Sequence, residues 1–119
     1  MRYTIAVDFD GVLHSYVQPW VSHEHIPDPP VEGAMAWLTE MSKEFDIVIH
    51  STRASTPEGR MAVLNYLQVN GYHGRIKGIT NEKPPALIYL DDRAYRFEGP
   101  GTFPTREQVM AARPWNKRD

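Results

Sequence analysis

Residues 3–11 read YTIAVDFDG, and this stretch decides the fold. Tyr3 to Phe9 is apolar at nearly every position, the pattern of a strand covered on both faces of a parallel sheet. Asp10-Gly11 closes it with a turn signal. Working outward, Phe45 to His50 (FDIVIH) repeats the pattern. Ala86 to Leu90 (ALIYL) does so again, and Arg75 to Ile79 supplies a shorter strand. Tyr95-Arg96-Phe97 extends the sheet as a fifth, edge strand in this reading.

Helices fall between the strands. Val31, Ala34, Leu38 and Met41 recur at helical spacing, so a helix is expected from about Pro30 to Lys43, started by Asp28 or the prolines. Ser55-Thr56-Pro57-Glu58 gives an N-cap with proline at the first helical position. The helix it opens places Met61, Leu64 and Leu67 on one face and stops at Asn70-Gly71. Thr105-Arg106-Glu107-Gln108 resembles a capping box for a last short helix through Ala112. Strands alternating with helices predict an α/β fold with a mainly parallel sheet. Ligands of such sheets sit outside the carboxyl ends of the strands.

Composition narrows the function classes. The 119 residues fit one domain, residues 1–119, able to bury roughly 65% of its unfolded surface. A hydrophobic share of 41% with 24% charged residues argues against disorder. A net charge of −2 disfavours a chain built to coat nucleic acid or an anionic membrane. The absence of cysteine excludes disulfide scaffolds, thiolate metal sites and thiol catalysis. The apolar run of Met1 to Asp8 is too short for a signal peptide, and no run approaches a membrane span. A cytoplasmic domain without membrane contact is therefore expected.

The strand ends carry the chemistry. The first ends in Asp8-Phe9-Asp10-Gly11, the second in His50-Ser51-Thr52-Arg53, the fourth in Asp91-Asp92-Arg93, with Lys83 just ahead of the fourth. Acidic residues at one strand end often merely cap a turn; convergence of the whole set on one sheet edge calls for another reason. Carboxylates from separate strands suit a hard, oxygen-seeking cation such as Mg²⁺. Without a cation they would repel and raise each other's pKa. A cation that keeps waters usually shares its site with a phosphate, and a phosphoryl group also wants hydroxyl donors and a lysine or arginine. Aspartate can itself attack phosphorus. The set points to phosphoryl transfer.

In their order, DFDGVLH, IVIHSTR, a lysine and IYLDDR resemble the four motifs of the haloacid dehalogenase superfamily of phosphatases, over about residues 3 to 97. The resemblance implies a Rossmann-like three-layer sandwich and a Mg²⁺-dependent phosphomonoester hydrolase working through an aspartyl-phosphate. It makes Asp8 the nucleophile and Asp10 the group that protonates the leaving group and then activates water. Ser51 would hydrogen-bond the transferring phosphoryl group, and Lys83 would offset charge on nucleophile and phosphate. Gly11, Ser51, Thr52, Arg53 and Lys83 are the expected phosphate contacts. Asp8, the backbone carbonyl of Asp10, Asp91 and Asp92 are the expected Mg²⁺ ligands. Because the dehalogenases lack the second acid of the first motif, Asp10 favours phosphate over halide chemistry. Response-regulator receiver domains share the toolkit, but they place the acidic pair first, whereas here it comes last.

Relatives usually add a cap domain after the first motif or between the second and third. Here only some twenty residues follow Gly11 before a helix, and Arg53 to Lys83 holds one helix and one strand. A capless member is expected, shielded by the proline-rich loop 14–30, by a partner or by its substrate. Phosphorylated small molecules, nucleotides and nucleic-acid ends all remain candidate substrates. A silent Mg²⁺- and phosphate-binding regulatory module is the non-enzymatic alternative.

Tyr16 and Trp20 in the loop can stack on a base or sugar, or pack on the core. His23 and His25 with Asp28 have the spacing of a weak transition-metal site, less expected than exposed histidines. His14 and His50 lie near the site, and His50 is expected to face the core. Trp37 is expected to pack. The basic tail 113–119 reads as a solvated terminus.

Overall fold

The computed structural model describes residues 2–113. Four strands, β1 (Thr4–Asp8), β2 (Asp46–His50), β3 (Gly78–Thr80) and β4 (Ile88–Leu90), form one sheet in the order β3-β2-β1-β4, every pairing parallel. Helix α1 (Ala34–Ser42) links β1 to β2, and helix α2 (Pro57–Val69) links β2 to β3. A short helix α3 (Arg106–Ala111) follows β4. The chain is thus an α/β domain of Rossmann-like order, with β1 in the middle of the sheet and its carboxyl end at the crevice where the strand order reverses.

Strand parity decides what is buried where. Ile5, Val7 and Phe9 point to one face together with Ile47 and Ile49, and that face packs on Ala34 and Leu38 of α1 and Val63, Tyr66 and Leu67 of α2. Both helices therefore cover the same face, as successive right-handed crossovers in one direction require. The opposite parity, Ala6, Asp8, Val48 and His50, faces away from this core. No helix separates β3 from β4. Residues 81–87 instead cross from one sheet edge to the other, tied down where Leu87 N–H donates to the Thr4 carbonyl and where the Tyr89 hydroxyl donates to the Pro84 carbonyl.

Local chemistry sets the element boundaries. Thr56 caps α2, its hydroxyl accepting the Gly59 amide, with Pro57 at the first helical position. The capping box Thr105–Gln108 forms with both reciprocal bonds. Helix α1 begins at Ala34, later than Pro30, because Gly33 sits at φ 85° and Val31 to Gly33 form a turn. Asp28 does not cap α1; its carboxylate accepts the amides of Val17 and Gln18 instead. The buried stripe of α2 is Val63, Tyr66 and Leu67, whereas Met61 is exposed. Tyr66 takes the place expected of Leu64 because its ring packs edge-on against Phe9 while its hydroxyl bonds the Asp28 carbonyl.

The expected fifth strand at Tyr95-Arg96-Phe97 is absent among the described residues, and β4 is the edge. The segment folds on its own Gly99 turn: Tyr95 bonds the Thr102 carbonyl, and the Phe97 and Phe103 rings meet at 4.7 Å. Local ring pairing and a glycine-rich turn outcompete ladder formation. β4 is consequently exposed, at 52% for Ile88 and 37% for Leu90. The third strand also starts later than expected, at Gly78. The tail from Pro114 onward lies outside the described residues.

Candidate active site

Asp8 ends β1 in register with His50 of β2 and is flanked by the chain leaving β4. Parity puts its side chain on the face opposite the one that α1 and α2 cover. Carboxylate oxygens of Asp8, Asp91 and Asp92 all lie within 4.8 Å of one another. Burial pushes the Asp8 carboxyl up to about 8, with Asp91 and then Asp92 adding repulsion, against a single lowering bond from the Phe9 amide at 2.8 Å. Three all-oxygen ligands at one strand-end crevice fit a hard divalent cation better than any soft metal.

Gly11 makes this cluster sterically feasible. Its φ is +86°, where an L-residue is strained, and a Cβ there would overlap the Asp92 carboxylate. The turn is coiled tightly, the amides of Leu13 and His14 both donating to the Phe9 carbonyl at 2.9 and 3.0 Å. Gly11 thus acts through the backbone and lines neither site cavity.

Asp8 stands between two hollows. One, of about 290 Å³, is lined by Asp8, His50, Lys83, Tyr89 and Asp91 among others. The other, of about 250 Å³, is lined by Asp8, Asp10, Tyr16, Trp20, Ser51, Thr52, Asp92 and Arg93. Lys83 approaches from the 81–87 crossing, its ammonium 4.5 Å above the Tyr89 ring. Ser51 is buried at the end of β2, its amide bonded to the Thr80 carbonyl and its hydroxyl accepting the Arg53 amide at 3.1 Å. Thr52 is exposed beside it.

Asp10 points elsewhere than the Asp8 cluster. Its Oδ2 accepts from Arg53 Nε at 2.9 Å, and its Oδ1 from Arg53 Nε at 3.1 Å and from His14 at 2.8 Å. Its carboxylate is not among the three clustered ones. The tautomer of His14 follows from its other nitrogen. Nε2 lies 3.1 Å from the Asp28 amide, which can only donate, so Nε2 carries the lone pair and Nδ1–H donates to Asp10. His14 is fully buried against Phe9 and Tyr66. At the far end of this chain, burial works to raise the Asp28 carboxyl, but the bonds from Gln18 and Val17 outweigh it and hold it below the usual range.

Arg53 is the largest difference from the expected site. It is 1% exposed and lines neither hollow. Besides Asp10, one terminal nitrogen donates to the carbonyls of Ser22, His23 and His25 at 3.0, 2.9 and 3.0 Å. Its guanidinium also lies 4.5 Å from the Trp20 ring centre. Arg53 therefore staples the loop 14–30 to Asp10. The loop base is closed separately, by Ser15 N–H to the Pro29 carbonyl and Val31 N–H to the Leu13 carbonyl.

Among the described residues His23, His25 and Asp28 do not converge as a metal group; His23 instead bonds the Ser55 hydroxyl. His50 does not face the core, because parity puts it on the Asp8 side. Period-two alternation could have shown this: His50 is one step out of phase with the core residues Ile47 and Ile49. Arg93, directly after the acidic pair, joins the second hollow. Trp37 packs on the core as expected. No helix among the described residues is long and apolar enough to cross a membrane. Compared with family models, curated proteins and solved structures, the chain matches none.

Proposed function

We propose that this chain is a Mg²⁺-dependent phosphomonoester hydrolase of the haloacid dehalogenase type, with Asp8 as its nucleophile. The observation that carries the reading is the position of Asp8. It is a partly buried carboxylate clustered with Asp91 and Asp92, between a hollow holding Lys83 and one holding Ser51 and Asp10. A resting carboxyl pushed up to about 8 by burial and two neighbouring carboxylates is the signature of a site built around positive charge.

Asp8, Asp91 and Asp92 would hold the cation, which when bound supplies charge neutralisation for the ester oxygens and for ionised Asp8. Asp8 then attacks phosphorus, and the bond to the leaving oxygen breaks. Lys83 offsets charge on the nucleophile and the phosphoryl oxygens, and the Ser51 hydroxyl donates to one of those oxygens. Asp10 gives its proton to the departing alkoxide, leaving an alcohol and an aspartyl-phosphate. In the second step Asp10 takes a proton from water, which attacks phosphorus and releases inorganic phosphate and free Asp8. Of the two oxygens of Asp10, Oδ1 is shared by His14 and Arg53. Oδ2 accepts from Arg53 Nε alone and is the oxygen through which the proton passes. His14 and Arg53 together fix the carboxyl plane.

Turnover of an aryl phosphate with Mg²⁺ tests the reading. Activity lost in Asp8→Asn and on chelation is expected; a variant or chelated protein that keeps full activity would overturn it. A protein inert toward a broad panel of esters, whose melting temperature Mg²⁺ still raises, would support the binding-module alternative.

A further inference from the structure

The second hollow has an aromatic wall that phosphate chemistry does not need. Trp20 is 41% exposed, yet it is not a loose surface side chain. The Arg53 guanidinium lies over its ring at 4.5 Å, and the His23 ring stands perpendicular to it at 5.2 Å between centres. Arg53 is itself immobilised by Asp10 and three loop carbonyls. A tryptophan serving only to pack would bury its ring in the core; this one, held between Arg53 and His23, lines the hollow that contains Asp8 and Asp10. Tyr16, from the same loop, joins that wall in a left-handed conformation at φ 52°, rare for a bulky residue.

We infer that Trp20 is a stacking platform for the leaving group, and that the substrates are phosphate esters of nucleosides. The inference rests on the phosphatase reading and names its substrate class. Flat heterocycles add to a tryptophan face whatever their sequence, and Arg53, which covers one face of the ring, does not itself line the hollow. The hollow of about 250 Å³ falls just below the range of ordinary ligand pockets, so it suits a mononucleotide-sized ester and nothing much larger. The phosphate then lies at Asp8, with Arg93 and Thr52 lining the same hollow. A sugar phosphate fills the phosphate end only and leaves the aromatic wall bare.

The test compares kcat/KM for nucleoside 5′- and 3′-monophosphates with that for ribose 5-phosphate, in the wild type, Trp20→Ala and Trp20→Phe. The wild type is expected to prefer the nucleotide about tenfold or more, through KM. Trp20→Ala should collapse that preference about tenfold or more, and Trp20→Phe should restore most of it, showing that the ring and not the loop fold is read. Quenching of tryptophan fluorescence by adenosine 5′-monophosphate, absent in Trp20→Ala, reports stacking without turnover. A 5′- or 3′-phosphorylated oligonucleotide forms a further arm. If its KM is lower than the mononucleotide's and rises steeply with salt, the nucleoside belongs to a nucleic-acid end; otherwise it is free nucleotide. Equal kcat/KM for nucleotide and ribose 5-phosphate, unchanged in ratio by Trp20→Ala, overturns the inference and leaves the phosphatase intact. Absence of turnover on every ester overturns the phosphatase reading instead.

Discussion

Replacing Asp8 by Asn should make the cation-free protein more stable near neutral pH while abolishing turnover. Burial and the neighbouring carboxylates push Asp8 up to about 8 in the fold, against 3.8 for a free side chain. As pH rises the unfolded chain therefore loses this proton first, and the folded state loses stability steadily between about pH 4 and 8. One pKa unit corresponds to about 1.36 kcal/mol, so the ceiling at pH 7 is about 4 kcal/mol. Asp8 is only partly buried, and water screens part of the repulsion, so about 2 kcal/mol is the working figure. For a domain of this length that is about 6–10 °C in melting temperature. Asn keeps the shape and presents an amide where protonated Asp8 presents its hydroxyl to Asp92. The assay is thermal unfolding of wild type and Asp8→Asn without divalent cations at about pH 4.5 and pH 7.5. The variant should melt higher at the upper pH and equal to wild type at the lower. Added Mg²⁺ should raise the wild type and close the gap, since a ligand at a hundred times its Kd adds about 2.7 kcal/mol. A variant that melts below wild type at pH 7.5, or by the same margin at both pH values, would refute the electrostatic reasoning.

Two other substitutions probe the scaffold of the site. Arg53→Ala breaks a buried ion pair and orphans three loop carbonyls, so it should cost about 3–5 kcal/mol and expose the loop to chymotrypsin after Trp20, read by limited proteolysis. Gly11→Ala puts a Cβ into Asp92 and strains a left-handed turn; it should lower stability by about 1–3 kcal/mol and, unlike a remote substitution, erase the Mg²⁺-dependent rise in melting temperature.

The parallel sheet was legible because β1 and β2 carry near-continuous apolar runs ending in polar clusters, a pattern little else produces. The acidic pairs Asp8/Asp10 and Asp91/Asp92 and the capping residues Thr56 and Thr105 are equally plain, because each is a short-range pattern. What escaped depends on partners distant in sequence. Arg53 looks like any arginine at a strand end. Only the folded loop reveals that its donors meet Asp10 and the carbonyls of residues 22, 23 and 25. His14 and Asp28 are likewise joined across the loop base by a single amide-to-imidazole bond. Tyr95 to Phe97 has strand composition, but the neighbouring Gly99 turn offers its rings a local partner, and composition carries no measure of that competition. His50 and the Met61 face of α2 depart from expectation for a simpler reason: phase. A shift of one residue in a strand, or of a third of a turn in a helix, moves a side chain from the core to the outside.

The central claim is that phosphorus passes through Asp8. A single-turnover reaction with a phosphate monoester, quenched in acid and analysed by peptide mass spectrometry, tests it most directly. One phosphoryl group is expected on the peptide containing Asp8, assigned by fragmentation to Asp8 itself. With an aryl phosphate, whose leaving group needs no acid, the adduct should accumulate in Asp10→Asn, where the water-activating carboxyl is gone. Turnover without any adduct, or an adduct on Ser51, His50 or Asp91, would contradict it.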